Sequence, residues 1–165
     1  MNHDTFLVWI LLFRNRIIIR IFLGMEGIGM NESPLHACAA EYWTSLVNHH
    51  ERIKTGWMIP KSWNECSKET KSTTLLRIYD HIIHPDITEP VEHHAWVNLK
   101  FNAGYHFGDY NNSGPVKSHP MLRPFSDCPL WFQDITGIFC STVRLWRPKL
   151  IEYMDELFEK GFDLK

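Results

Sequence analysis

Residues 93–110, HHAWVNLKFNAGYHFGDY, combine imidazole, indole, phenol, ammonium and carboxylate groups in one short run. If the run is helical up to Gly104, then His93, Trp96 and Lys100 recur three and four residues apart and share one face. Such a face can stack on a flat molecule and neutralise an anionic group. The run is too polar for a core helix and too aromatic for a solvated one, so these residues are candidates for contact with a ligand.

Each residue of this face also has a simpler interpretation. Trp96 is typical of a core residue, His93 of a hydrogen-bonded packing residue, and Lys100 of a side chain that covers apolar surface. The residues that follow favour the binding interpretation, because they add further rings, cations and a carboxylate. These are Tyr105, Asp109, Lys117 and His119, and Trp63 upstream is one more candidate ring.

The spacing across residues 93–125 resembles the repeat domain of ryanodine receptors (the RyR domain). It is most similar to the small stand-alone versions in bacteria and bacteriophages. The residues that carry the resemblance are His93, Trp96, Lys100, Gly104, Tyr105, Gly108, Lys117, His119, Pro120, Leu122, Pro124 and Phe125. It is strong over residues 84–125 and weaker over 34–146. The chain departs from the family where Tyr105 replaces a usual tryptophan, and where the acidic element around Asp134 is reduced.

The resemblance implies an α+β, mostly helical fold with four to five helices and a few short antiparallel strands. It also implies non-catalytic binding of a nucleotide-derived small molecule in the cytoplasm. Separately, no cofactor and no metal are expected. The residues expected to bind are Trp63, His93, Trp96, Lys100, Tyr105, Asp109, Lys117 and His119. In a bacteriophage protein, the expected role is anti-defence, by sequestering a cyclic or NAD-derived immune signal in the host cytoplasm. In a bacterial protein, sensing is the more natural role.

Three other functions remain open. Exposed aromatic residues can anchor a protein–protein interface, including a homo-oligomer that completes the pocket. A nucleotide-cleaving enzyme would need an acid–base pair, with candidates in His93, His119, Asp109 and Asp134. A zinc site is less favoured, because the ten histidines include a His81-x-x-His84 pair but the chain has no C-x-x-C or H-E-x-x-H motif.

Composition limits the class of protein. A chain of 165 residues is enough for one domain with a real core. Its net charge of −2 argues against nonspecific binding of DNA or RNA polymers, which needs a basic face. The four cysteines form no paired motif and are expected to be reduced thiols in a cytoplasmic protein.

The first 24 residues differ from the rest, because the apolar stretch FLVWILLFRNRIIIRIFL is broken by arginines. Its unbroken apolar run, 6–13, is shorter than the ~20 residues of a membrane-spanning helix. It fits a membrane-surface amphipathic helix, an extra element on the core, or an upstream extension with the working start at Met25 or Met30. We expect an extension over 1–29 and one domain over 30–165.

Capping and breaking residues set the expected helices. Ser33 and Pro34 predict a helix start at 34, which Gly56 would end, and Thr88 predicts another that ends before Gly104. Pro148 predicts a break between the last two helices. The expected helices are 34–54, 64–83, 89–103, 129–146 and one that begins at 148.

Overall fold

The computed structural model describes residues 33–54, 59, 61–111 and 115–159. Its elements are α1 (Pro34–Ile53), a 3-10 turn (Trp63–Glu65), α2 (Lys68–Ile83), α3 (Glu89–Asn102), β1 (Tyr105–Phe107), β2 (Lys117–His119), a second 3-10 turn (Phe125–Asp127) and α4 (Leu130–Glu159). None of the described helices has the combined length and apolar character that a membrane crossing needs. The expected extension over 1–29 lies outside the described residues.

Serine side chains begin the first two helices. The Ser33 hydroxyl accepts the His36 N–H at 3.4 Å, and Pro34 occupies the first turn, as predicted. The Ser67 hydroxyl accepts the Thr70 N–H at 3.1 Å, so α2 begins at 68. The predicted start at 64 was wrong, because Trp63–Glu65 forms a separate 3-10 turn ahead of this cap. Gly56 lies outside the described residues.

Helix α3 lies close to its predicted position. Thr88 occupies the N-cap position, although its side chain makes no capping hydrogen bond. The helix ends at Asn102, and Gly104 follows with a φ of +82°. That left-handed conformation is open to glycine at little cost, and it turns the chain from α3 into β1.

The two described strands run parallel, so the predicted antiparallel strands were wrong. Tyr105 pairs with Lys117 and Phe107 with His119. Beyond β1, a single antiparallel bridge joins Asn111 to Ser118. Asn111 and Ser118 exchange both of their backbone hydrogen bonds, at 3.0 and 2.9 Å. Ser118 therefore bonds to Asn111, while its strand pairs with β1.

Helix α4 continues through Pro148, so the predicted break there was wrong. Proline inside a helix costs about 3 kcal/mol, because it removes one backbone hydrogen bond and crowds the preceding turn. Residues on both sides of it bury completely in the same core, with Val143 before and Leu150 after. Continuous packing of the whole helix offsets the local cost.

The main core lies where α4 packs against α1 and α2. Its fully buried members include Cys38, Ile78 and Phe139. A second, smaller cluster joins α3 to the strands and the segment after them, and consists of Val97, Tyr105 and Leu122. Trp96 packs against both clusters. The candidate site lies on this boundary.

Candidate functional site

A partly open cavity of about 190 Å³ lies between α3 and the other three helices. Each helix presents one face to it, at three- and four-residue spacing. The α3 residues are His93, Trp96 and Lys100, and the α2 residues are Thr70, Thr73, Thr74 and Arg77. The remaining elements contribute Tyr42, Trp43, Leu46, His50, Ile59, Tyr110, His119, Phe132, Ile135 and Thr136.

Aromatic rings form much of the cavity wall around Trp96. The His93 ring stacks on Trp96 with centroids 5.6 Å apart and planes at 28°. His119 meets Trp96 edge-on at 5.0 Å, and Phe132 packs against it at 5.5 Å. Tyr110 contacts His119 at 5.5 Å. These ring contacts hold the Trp96 indole in one orientation in the cavity wall.

A buried ion pair positions Arg77 in the cavity wall. Its Nε donates to the Glu92 carboxylate, and His81 Nε2 donates to the other carboxylate oxygen at 2.7 Å. Glu92 is 1% exposed; burial raises its pKa, but Arg77 and His81 outweigh that effect and hold the pKa below its usual value. The Arg77 guanidinium also lies 4.0 Å from the centroid of the Phe139 ring. Most of its charge is therefore balanced inside the protein.

Lys100 carries a less balanced charge. Its ammonium lies 4.6 Å from the centroid of the Tyr105 ring and 4.0 Å from a Glu69 carboxylate oxygen. Burial lowers the pKa of Lys100, Glu69 opposes this, and repulsion from Arg77 and Lys117 lowers it further. A charge-assisted hydrogen bond is typically 2.7–2.9 Å long, so the contact with Glu69 is a loose ion pair.

Two cavity histidines are held neutral with fixed tautomers. His93 Nε2 lies 2.8 Å from the Arg123 carbonyl oxygen, which can only accept, so Nε2 carries the proton. His119 Nδ1 accepts the Met121 N–H at 3.2 Å, so its proton is on Nε2. Burial lowers both pKa values, and that of His119 falls to about 4 with further repulsion from Lys100 and His93. The cavity thus gains hydrogen-bonding groups without gaining charge.

The structure brings together four of the eight predicted binding residues. His93, Trp96, Lys100 and His119 line the cavity, although His119 comes nineteen residues after Lys100, as the last residue of β2. The α3 stripe, which consists of His93, Trp96 and Lys100, therefore meets the end of β2 at the cavity. The same spacing that suggested the stripe from the sequence also explains its shared face.

The other four predicted residues do not line the cavity. Trp63 is 7% exposed and packs behind Trp43, with ring centroids 6.3 Å apart. Tyr105 is 3% exposed in the smaller cluster, and Lys117 lies over its ring at 5.2 Å. Asp109 is exposed, and its carbonyl oxygen accepts the Ser118 hydroxyl. Trp63 and Tyr105 are therefore not placed to stack with Trp96 on one ligand in the cavity.

Sequence reasoning missed the α2 wall. Thr70, Thr73, Thr74 and Arg77 recur at offsets of three, four and seven residues, which is a helical stripe of polar groups. A stripe of this kind beside a strongly apolar face is a usable signal, since exposed helix surfaces carry more charge than hydroxyls. The role of Arg77 could not be recognised from the sequence, because its partner Glu92 lies in a different helix.

Metal binding, acid–base catalysis and catalysis by a cysteine find less support at this site. Among the described ranges, no group of three or more His, Cys, Asp or Glu side chains is arranged to hold a metal ion. Neither Asp109 nor Asp134 lines the cavity, so neither pairs there with a histidine. All four cysteines are buried and free, and burial raises the pKa of Cys38 and Cys140 to about 12. Such thiols are poor nucleophiles at neutral pH.

The chain matches no protein-family model, no curated protein and no solved structure. The resemblance to the RyR domain therefore stays a prediction. The described architecture agrees with it in being mostly helical and differs from it in the direction of the strands. The geometry of the cavity is accordingly the basis for assigning a function to this chain.

Proposed function

We propose that this chain binds a flat, anionic, nucleotide-derived small molecule in the ring-lined cavity and does not change it chemically. The observation that carries the proposal is Lys100. Its ammonium lies at a cavity walled by aromatic rings, and within the described residues its ion pairing is one 4.0 Å contact with Glu69. Coulomb attraction grows as water is excluded, so an anion inside the cavity would bind this ammonium more tightly than Glu69 does.

The ring wall supports a planar ligand. Stacking of a base on an aromatic side chain is worth roughly 1–3 kcal/mol. Trp96 is half-buried and is held by its neighbours, so little freedom is lost when a ligand stacks there. The neutral histidines and the threonine hydroxyls supply donors and acceptors for the polar edge of a base or sugar.

A thermal-shift screen tests the proposal. The panel is ATP, AMP, NAD, ADP-ribose with its cyclic forms, and cyclic di- and trinucleotides. A ligand present at 100 times its dissociation constant adds about 2.7 kcal/mol of stability. We expect one class to raise the melting temperature, and we expect the ligand to be recovered intact after heating.

A matched pair of lysine variants localises the binding. Lys100→Met removes the cavity ammonium and keeps most of the side-chain volume. Lys149→Met is the control, because Lys149 also lies over an aromatic ring, 5.0 Å from the centroid of Trp146, but on exposed α4 surface away from the cavity. We expect only Lys100→Met to lose the ligand-induced shift. Equal shifts in both variants would place the ligand elsewhere.

The outcome also separates the competing functions. Chemical conversion of the ligand would indicate an enzyme. Recovery of an intact ligand from a viral protein would fit sequestration of a host signal, and from a cellular protein it would fit sensing. In a viral and in a cellular protein alike, the cavity would bind the ligand in the same way and shield it from water.

If no ligand of the panel raises the melting temperature, a second surface supports the alternative function, which is binding of a protein partner. An apolar groove of about 570 Å³ lies between α3 and residues 122–126, and His93 lines it as well as the cavity. Phe101 on its wall is 47% exposed. Aromatic side chains at a groove can anchor a protein interface. A pull-down with Phe101→Ser as the control variant would then be the informative experiment.

A further inference from the structure

A carboxylate of the chain itself occupies the space between two lysines at the edge of the cavity. Glu69 Oε1 lies 4.0 Å from the Lys100 ammonium, and Glu69 Oε2 lies 3.7 Å from the Lys117 ammonium. Both ammoniums lie over the same ring, at 4.6 and 5.2 Å from the centroid of Tyr105. The three charged groups therefore share one small space beside the cavity.

The two lysines are held in place by the fold rather than by Glu69. Lys100 projects from α3, and Lys117 pairs with Tyr105 in the parallel register of the strands. Tyr105 is buried, so the ring beneath the ammoniums is fixed, and cation–π attraction holds both of them near it. Glu69 differs, because its side chain is 46% exposed in the first turn of α2 and its contacts are long.

We propose that this position is a subsite for a terminal phosphate group of the ligand, and that Glu69 fills it until the ligand binds. The inference rests on the proposed function and narrows its ligand class. Two ammoniums beside one carboxylate leave one positive charge unbalanced. A terminal phosphate carries −1.5 to −2 charges at pH 7 and three acceptor oxygens, so it can displace Glu69 and neutralise both lysines. A cyclic phosphodiester carries one negative charge, as Glu69 does, and gains less by the exchange.

The arrangement assigns separate tasks to the residues. Trp96 and the neutral histidines receive the ring, Lys100 serves both the cavity and the subsite, and Lys117 serves the subsite alone. Tyr105 supports the two ammoniums instead of stacking on a base. Glu69 sets specificity, because it competes with every anion and is displaced most readily by the most highly charged one.

Calorimetric titration of the full chain tests this assignment. The probes are the four nucleoside 5′-monophosphates, the matching 3′,5′-cyclic monophosphates and inorganic phosphate. We expect the wild type to prefer the 5′-monophosphate of its base over the cyclic form. We expect Glu69→Gln to bind that monophosphate about two- to five-fold more tightly, the range for removal of an exposed ion pair that competes with the ligand. Lys117→Met should erase the preference while keeping affinity for the cyclic form.

Glu152→Gln is the control for the change in net charge. Glu152 is exposed on α4, sixteen residues beyond Thr136 in the cavity wall, or about 24 Å along the helix. We expect it to behave as the wild type does.

The results separate the two proposals. If the wild type binds nucleotides but Glu69→Gln does not tighten binding, or the cyclic forms bind at least as well, the phosphate subsite is wrong and the proposed function stands. If neither the wild type nor Glu69→Gln binds any probe, the phosphate subsite is wrong. The proposed function is then wrong as well only if no ligand of the thermal-shift panel binds.

Discussion

Protonation of His119 is expected to destabilise the fold in mild acid. Its pKa is about 4 in the folded protein, because it is buried and faces Lys100 and His93, and the ordinary value is 6.5. Well above pH 6.5, His119 is neutral in both the folded and the unfolded chain, and stability does not depend on it. As the pH falls from 6.5 to 4, the unfolded chain takes up a proton that the folded chain refuses, so stability is lost.

The size of this stability loss depends on the pKa of His119 in the folded and in the unfolded chain. A difference of roughly 2.5 in pKa corresponds to about 3 kcal/mol once the pH is below both values. At pH 5 the loss relative to pH 7 is about 2 kcal/mol. Burial also lowers the pKa of His93, so the whole protein should lose more than His119 alone contributes.

Urea denaturation at pH 7 and pH 5 isolates the contribution of His119. His119→Asn keeps an acceptor that can reach the Met121 N–H, which His119 Nδ1 accepts at 3.2 Å, but it cannot take up a proton. We expect this variant to lose about 2 kcal/mol less than the wild type between the two pH values. His84→Asn is the control, because His84 is exposed. Equal losses in wild type and His119→Asn would refute the reasoning.

Three further predictions concern the rest of the fold. Glu92→Gln should cost about 3–5 kcal/mol in urea denaturation, because it leaves Arg77 buried without its counter-ion, whereas Glu89→Gln, in an exposed pair, should cost under ~1 kcal/mol. Gly104→Ala should lower stability by about 1–2 kcal/mol through its φ of +82° alone, and Gly137→Ala in α4 should raise it by up to about 1 kcal/mol, since an added Cβ meets nothing within 4 Å at either position. The four buried thiols should react with a thiol reagent at pH 8 only after denaturation, and fast labelling of the folded protein would contradict their burial.

Local signals in the sequence predicted most helix positions. Ser33 with Pro34 and the glycine at 104 act within one turn of the chain, so their effect can be read without knowing the fold. Pro148 is also a local signal, but it was overruled by packing that extends along the whole of α4. The parallel strands could not be predicted, because the pairing of Tyr105 with Lys117 joins residues twelve positions apart, which no local signal specifies.

Only the α3 part of the candidate site could be predicted, again because local spacing can be read from the sequence and helix packing cannot. The α3 stripe lies within eight residues of sequence, from His93 to Lys100, and helical spacing alone places it on one face. Arg77 and Glu69 come to this stripe from α2, through helix packing that no short motif specifies. Trp63 and Tyr105 have the chemistry of ligand-binding rings, and only burial distinguishes them from Trp96.

The unbroken α4 also governs when the domain can form during synthesis. It packs against α1, α2 and α3, and the Trp146 indole donates to Glu41 across 105 positions of sequence at 2.7 Å. Contacts between residues so far apart in sequence form late in folding. The entropy cost of closing the long intervening loop comes before the contact contributes any stability. A nascent chain that has reached only residue 128 carries α1 and α2 with their apolar faces uncovered. Until α4 leaves the ribosome, these faces are available to chaperones and to other nascent chains.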